Sequence, residues 1–259
     1  MAPLHGIGVL VTRPEQQATP LCRLLETLGA STIRLPAVEI KGIGERRDWS
    51  ARAGALESYD LIIFTSTNAV RFGAALLDQK RDLALVAIGP ATARTLNQAG
   101  YRVAVQPSSG YDSESLLIHP RLEHLAGHRI LLIKGSGGRP LLEQELARRG
   151  AQVVPIDVYQ RIAAVPSPEA LADLQRSCAA GELHVITATS SEIAGNLLDF
   201  APPDLRREFE RIRWLVPSER VATHLRARGL TAPLLKAESA EDQDLAAALV
   251  RWRSSASGA

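Results

Sequence analysis

The stretch GVLVTRPEQQATPLCRLLETLGASTIRLPAVEI, residues 8–40, realigns without a gap on RILLIKGSGGRPLLEQELARRGAQVVPIDVYQR, residues 129–161, so that Gly29-Ala30 falls on Gly150-Ala151. Each copy reads as a β-branched or Leu-rich strand, a polar turn, an amphipathic helix, a glycine just past the helix end and a second strand. The echo continues downstream. LIIFTSTNAV (61–70) meets HVITATSSEI (184–193), and VAIGPATARTLNQAG (86–100) meets LVPSERVATHLRARG (215–229). A chain written twice in this way predicts two similar domains, and two similar domains commonly form one cleft.

Working outward, short strands are expected near 8–12, 32–35, 60–64, 84–88, 129–133, 153–159, 183–187 and 213–216, alternating with helices. That alternation predicts an α/β fold: two doubly wound parallel-sheet domains with helices on both faces of each sheet. The helix near 15–28 sets Ala18, Leu21, Cys22, Leu25 and Leu28 on one stripe, and the last helix does the same with Leu245, Leu249 and Trp252. The tail RSSASGA has no apolar periodicity and is expected to fray. RLPAVEIKG (34–42) and VPIDVYQRIAAVPSP (154–168) each follow the second strand of a repeat and carry an early proline. They read as a two-stranded linker, with strands at 38–41 and 159–162. Domain one is then discontinuous, residues 1–37 and 163–259, and domain two is 42–158, with a hinge expected through 37–42 and 158–165.

The 259 residues are about twice a modest domain, and a 46% hydrophobic content suffices for two cores. Lys and Arg number 30 against 28 Asp and Glu, and aromatics make up 4%, which argues against a nucleic-acid groove of basic and stacking side chains. MAPLHGIGVLVTRP has neither a basic leader nor an apolar run of signal-peptide length, and no apolar stretch approaches the ~20 residues of a membrane span. A cytoplasmic monomer, with no membrane or nucleic-acid partner, is therefore expected. Cys22 and Cys178 suit neither a disulfide framework nor a metal site, and the histidines show no ligand spacing.

The chemistry is expected in the polar turns after the strands, because open parallel sheets bind ligands beyond their carboxyl ends. TSTNAV (65–70) opens a helix with Thr65, Ser66 and Asn68, and IGPATA (88–93) does so with Thr92. KGSGGRP (134–140) supplies Lys134, Gly137 and Arg139 in a flexible loop. Free amides at helix starts bind anions, although Thr65, Ser66 and Thr92 read equally well as plain caps. KGSGGR lacks the GK[ST] ending of a P-loop and the full GxGxxG spacing. No serine stands in a GxSxG elbow, so covalent catalysis is disfavoured. Tyr159, on a crossing strand, is either a packed strand aromatic or a phenol able to donate a proton.

Taken in order, VLVTRP, the LGA-strand-P run, FTSTNAV, AIGPATA, GYDSESLL, ILLIKGSGGRPLLEQELARRGA, VYQR, TATSS, VPSERVA and a terminal helix after an acidic turn resemble the uroporphyrinogen-III synthase family over nearly the whole chain. The resemblance implies a cofactor-free, metal-free enzyme that cyclises and dehydrates the linear tetrapyrrole hydroxymethylbilane to uroporphyrinogen III, inverting ring D through a spiro intermediate. It carries Tyr159 onto the family's proton-donating tyrosine, an assisting rather than indispensable group. Arg13, Thr65, Ser66, Asn68, Thr92, Gly137, Arg139, Thr189, Ser190, Ser218 and Arg220 fall on substrate-contacting turns. Two departures stand out: ATSS where a TSS run is frequent, and Lys134 where an arginine is frequent, which keeps charge but loses bidentate carboxylate binding. Transient contact with neighbouring pathway enzymes belongs to the same expectation. The competing reading is a two-lobed cytoplasmic protein that binds an anion or a tetrapyrrole without catalysis. A nucleotide-dependent transferase would need a phosphate loop and acidic metal ligands that the sequence does not show.

Overall fold

The computed structural model describes residues 2–77, 83–110 and 112–257, so Tyr111 of the GYDSESLL stretch and the last two residues of the tail lie outside the described residues. In chain order the first half carries β1 (Gly8–Val11), α1 (Glu15–Thr27), β2 (Ser31–Arg34), β3 (Val38–Gly42), α2 (Arg46–Ala53), β4 (Leu61–Phe64), α3 (Thr67–Gly73), β5 (Leu85–Ala87), α4 (Pro90–Gln98), β6 (Val103–Val105) and α5 (Ser113–Leu117). The second half carries β7 (Arg129–Gly135), α6 (Leu141–Arg148), β8 (Gln152–Ala163), α7 (Pro168–Ala179), β9 (Val185–Thr187), α8 (Ser191–Phe200), α9 (Pro203–Phe209), β10 (Arg213–Val216), α10 (Glu219–Ala227), β11 (Leu234–Lys236) and α11 (Asp242–Ser257).

Two compact units result. An outer unit combines Met1–Glu39 with Ile162–Ala259, and an inserted unit is Ile40–Arg161. The outer unit holds a parallel five-stranded sheet in the order β11-β10-β9-β1-β2. The inserted unit holds a six-stranded sheet, β3-β8-β7-β4-β5-β6, parallel from β8 to β6. The two orders are the same once the repeat is applied. β1 and β2 correspond to β7 and β8, and β9, β10 and β11 correspond to β4, β5 and β6. The outer unit therefore takes the 2-1-3-4-5 order of a flavodoxin-type sheet and the inserted unit the same order circularly permuted, its β7-α6-β8 coming last in the chain. In each, the β-α-β comes from one copy of the repeat and the next three strands from the other. The two copies are interleaved.

Local chemistry explains the elements. β1 (GVLV) and β4 (LIIF) are buried at every position, the pattern of central parallel strands covered on both faces. Ala18, Leu21, Cys22 and Leu25 of α1 are buried together with Leu245 and Leu249 of α11 in one cluster. Gly29 and Gly150, matched by the repeat, both have φ of 92°. Each ends its helix with a bond from the following alanine to the carbonyl five residues back, Ala30 to Leu25 at 3.0 Å and Ala151 to Leu146 at 3.2 Å. Such a helix stop requires a left-handed residue and favours glycine.

Three expectations are revised. β6 and β11, three-residue edge strands, were not expected. The tail is helical to Ser257, with the Ser254 hydroxyl donating to Val250 O at 3.0 Å and that of Ser255 to Trp252 O at 2.8 Å. The third is register. Leu61 stands opposite Ile130 while Val185 stands opposite Val9, so the structural match of FTSTNAV to TATSSEI is shifted by one residue from the sequence alignment. Thr65 then falls on Thr189 and Ser66 on Ser190.

Candidate active site

In a 2-1-3-4-5 sheet the chain leaves in opposite directions from its first and third strands, and the crevice beyond their carboxyl ends is the place for a ligand. In the inserted unit that point lies between β7 and β4, and in the outer unit between β1 and β9.

The inserted unit holds seven of the expected residues, Thr65, Ser66, Asn68, Thr92, Gly137, Arg139 and Tyr159. Ser66 caps α3, its Oγ accepting the Ala69 amide at 3.0 Å, and the same Oγ lies 3.1 Å from the Tyr159 hydroxyl. Thr65 is tied to Ile133 O through its amide at 3.1 Å and its hydroxyl at 3.4 Å. Asn68 and Thr92 are buried. Gly89 starts α4 without any side-chain cap, leaving first-turn amides with no partner inside the helix. An extra residue in β8 shifts the pairing from Lys134 opposite Asp157 to Gly135 opposite Tyr159, and the Tyr159 ring crosses the glycine. The ring also stacks on Phe72, with centroids 6.1 Å apart at 22°. Neither Gly135 nor Phe72 was singled out from sequence. The bulge that sets Gly135 opposite Tyr159 has no local signature, and neither does the stack that brings Phe72 from α3.

A cleft of about 250 Å³ opens here, lined by Thr65, Lys134, Gly137, Arg139, Tyr159 and Arg161 among others. It is smaller than pockets that enclose a whole drug-sized ligand and suits a portion of a larger one. Its cations already carry internal partners. Lys134 Nζ lies 3.3 Å from Asp157 Oδ1 and 3.9 Å from Glu143. Arg139 holds Glu114 by two bonds of 2.5 and 3.0 Å. Hydrogen bonding from Arg139 keeps the Glu114 carboxyl below its ordinary value, so the pair is formed throughout the neutral range.

The outer unit repeats the pattern. Ser190 caps α8, its Oγ accepting from Ile193 N at 3.2 Å, with Thr189 half-buried beside it. Ser218 stands at the start of α10 but makes no side-chain cap bond, and Arg220 is exposed in the first turn. Beneath them the β1 and β9 ends are stitched by buried threonines, Thr12 Oγ1 donating to Thr187 O and Thr187 Oγ1 donating to Leu10 O at 3.0 Å. Arg13 is placed differently from an open substrate contact. Its guanidinium, in a residue only 8% exposed, donates to the Asp242 carboxylate and to Ala240 O, joining the turn after β1 to the start of α11. Its counterpart across the repeat is Lys134, also held by acids.

The geometry is accompanied by clear likeness to known proteins. A family model described as uroporphyrinogen-III synthase HemD matches residues 20–247. The chain belongs to the uroporphyrinogen-III synthase family. The synthase of Escherichia coli K12 is 31% identical over 229 residues, covering 86% of this chain and 92% of that protein. The synthase of Salmonella typhimurium is 32% identical over 244 residues, covering 92% and 97%. Among solved structures, a mutant uroporphyrinogen III synthase of Thermus thermophilus superposes with a TM-score of 0.57 at 24% identity, covering 98% of this chain and all of that one. The Helicobacter pylori uroporphyrinogen-III synthetase gives 0.58 at 16% identity, covering 96% and 99%. These two structures carry the fold. Family membership rests on the sequence match, which takes in the whole inserted unit and strands β9, β10 and β11 of the outer unit.

Proposed function

We infer that the chain is a uroporphyrinogen-III synthase, converting hydroxymethylbilane to uroporphyrinogen III with loss of one water. The observation that carries the catalytic reading is the Tyr159 phenol, held against Ser66 at the rim of a cleft lined by hydroxyls, glycines and cations. Tyr159 donates its proton to the ring A hydroxyl as that C–O bond breaks. Water leaves, and the pyrrole electrons form an electrophilic methylene. The Ser66 hydroxyl, which already accepts from Ala69 N, turns its own proton toward the phenolate. The substituted carbon of ring D attacks to give the spiro intermediate, which fragments and recombines with ring D inverted. The proton lost as the last pyrrole regains aromaticity returns to Tyr159.

Closure proceeds unaided but gives the uninverted type I isomer, so the protein's main task is orientation. The substrate's eight carboxylates are read mostly by helix-start amides and hydroxyls, because Arg13, Lys134 and Arg139 are engaged by acids of the chain itself. Thr65, Ser66, Asn68, Thr92 and Gly137 in the inserted unit, and Thr189, Ser190, Ser218 and Arg220 in the outer unit, are the proposed contacts. The reading extends to a cytoplasmic monomer that takes its substrate in passing contact with neighbouring enzymes. In support of a monomer, the inserted unit's sheet buries a separate apolar cluster on each face within its own chain. No described helix is long and apolar enough to cross a membrane.

The test is to supply freshly generated hydroxymethylbilane without cofactor, oxidise the products and separate the uroporphyrin isomers. Type III in excess is expected. Type I alone, at the spontaneous rate and with folded protein, would turn the assignment to a binding protein. A second expectation concerns Glu114, whose carboxylate occupies the fork of Arg139 that a substrate carboxylate would take. Glu114→Gln is expected to lower KM about two- to fivefold, the scale of an exposed ion pair. Steady-state kinetics at fixed ionic strength checks it, and a raised KM would show that Glu114 supports the loop instead.

A further inference from the structure

We propose that Phe72 and Gly135 are positioning residues that aim the Tyr159 hydroxyl, an inference that rests on Tyr159 being the proton donor. A phenol fixed at one point swings its oxygen through a wide arc, and proton transfer needs that oxygen within hydrogen-bond reach of the leaving group. Here the side chain is fixed at four points. Its backbone carbonyl accepts the Ser136 amide at 2.7 Å. Its ring lies on Phe72 at 6.1 Å and 22°, and its hydroxyl meets Ser66 at 3.1 Å. The fourth point is an absence of side chain: a Cβ at Gly135 would sit 2.5 Å from Cζ, and 2.8 and 2.9 Å from the two Cε atoms.

The location of that clash is informative. Cζ and the two Cε atoms are the end of the ring that carries the oxygen, so any substituent at Gly135 displaces the hydroxyl rather than the stem. Phe72 complements it from α3, the helix whose cap residue, Ser66, holds the oxygen. One helix therefore grips both the face and the tip of the phenol. Phe72 is itself seated, packing against the apolar cluster that contains Phe64, Val70 and Val158. A Cβ on Gly42 would lie 3.0 Å from its ring. Neither side chain has an acidic proton to give the leaving group, and Gly135 also lines the cleft, so an effect that passes through Tyr159 is told from a direct one by whether it vanishes with the Tyr159 hydroxyl.

That dependence supplies the experiment. Phe72→Leu and Gly135→Ala are made in the native chain and in a Tyr159→Phe chain, with thermal melts to establish folding. The rate of type III formation and the isomer ratio are measured for each. In the native background each substitution is expected to lower kcat about five- to twentyfold, since displacement of a catalytic group by an ångström can cost more than that. In the Tyr159→Phe background each is expected to change kcat by less than about twofold, the strong non-additivity of groups that act as a unit. Equal losses in both backgrounds, or no loss in the native one, overturn the positioning role while leaving the synthase reading intact. If Gly135→Ala does not fold, Phe72→Leu decides the matter by the same comparison. A Tyr159→Phe chain as fast as the native one overturns the donor and its positioning residues together, and the native protein's isomer ratio still decides the synthase reading separately.

Discussion

Tyr159→Phe is expected to form type III product about 10- to 100-fold more slowly than the native chain, with its melting temperature nearly unchanged. The substitution removes one oxygen and little else. The ring keeps its stack on Phe72, and Ser66 keeps the Ala69 amide, so no buried polar group loses its last partner. General acids typically contribute about 10²- to 10⁴-fold. The effect is expected at or below the low end of that range because the ring A hydroxyl departs without help at a rate that already yields type I product. Slower enzymatic turnover also gives the spontaneous route more time, so the type I fraction is expected to rise as enzyme is diluted. Single-turnover rates with isomer separation check both parts. An unchanged rate would return Tyr159 to the role of packed strand aromatic.

The second large effect is on stability. Trp214→Ala is expected to cost about 3–5 kcal/mol, the range for removing a fully buried large aromatic. Trp214 has no exposed surface, and it meets Phe209 edge-on with centroids 5.9 Å apart at 86°. Its indole Nε1 donates to Phe209 O at 3.1 Å, so truncation leaves both a cavity and a carbonyl without that donor. Against a total of about 5–15 kcal/mol this is a large share. Urea denaturation followed by circular dichroism measures it. Trp214→Phe, which fills more of the space, should lose less, and an alanine variant with a native midpoint would show that the β10 environment collapses around the gap.

The sequence was most legible where burial is complete. GVLV, LIIF and ILLI announce central parallel strands because both faces are covered, and the repeat locates their partners. VAV at 103–105 and LLK at 234–236 passed unseen, since three residues on a sheet edge need no apolar run. The turn motifs also placed Ser66 and Ser190 at helix starts, because capping is local chemistry. Their exact correspondence was not legible. Sliding TATSS by one residue keeps a similar composition, and only the opposition of Val185 to Val9 fixes it. Long-range partners are the other blind spot. Nothing near Arg13 tells of Asp242, 229 residues away, and nothing near Tyr159 tells of a glycine pressed under its ring.

The interleaving of the two repeats sets an order of events on the ribosome. The inserted unit is complete once residue 161 has emerged, but β1, with β2 on one side, has no other neighbour until β9 is made at Val185–Thr187. At about 5–20 residues per second, the interval from the end of β2 to β9 is roughly 8–30 s. During that time the wholly apolar GVLV segment has only half of its sheet environment. The nascent chain must keep its first-made strand unfinished while the later strands of that sheet are still to be made.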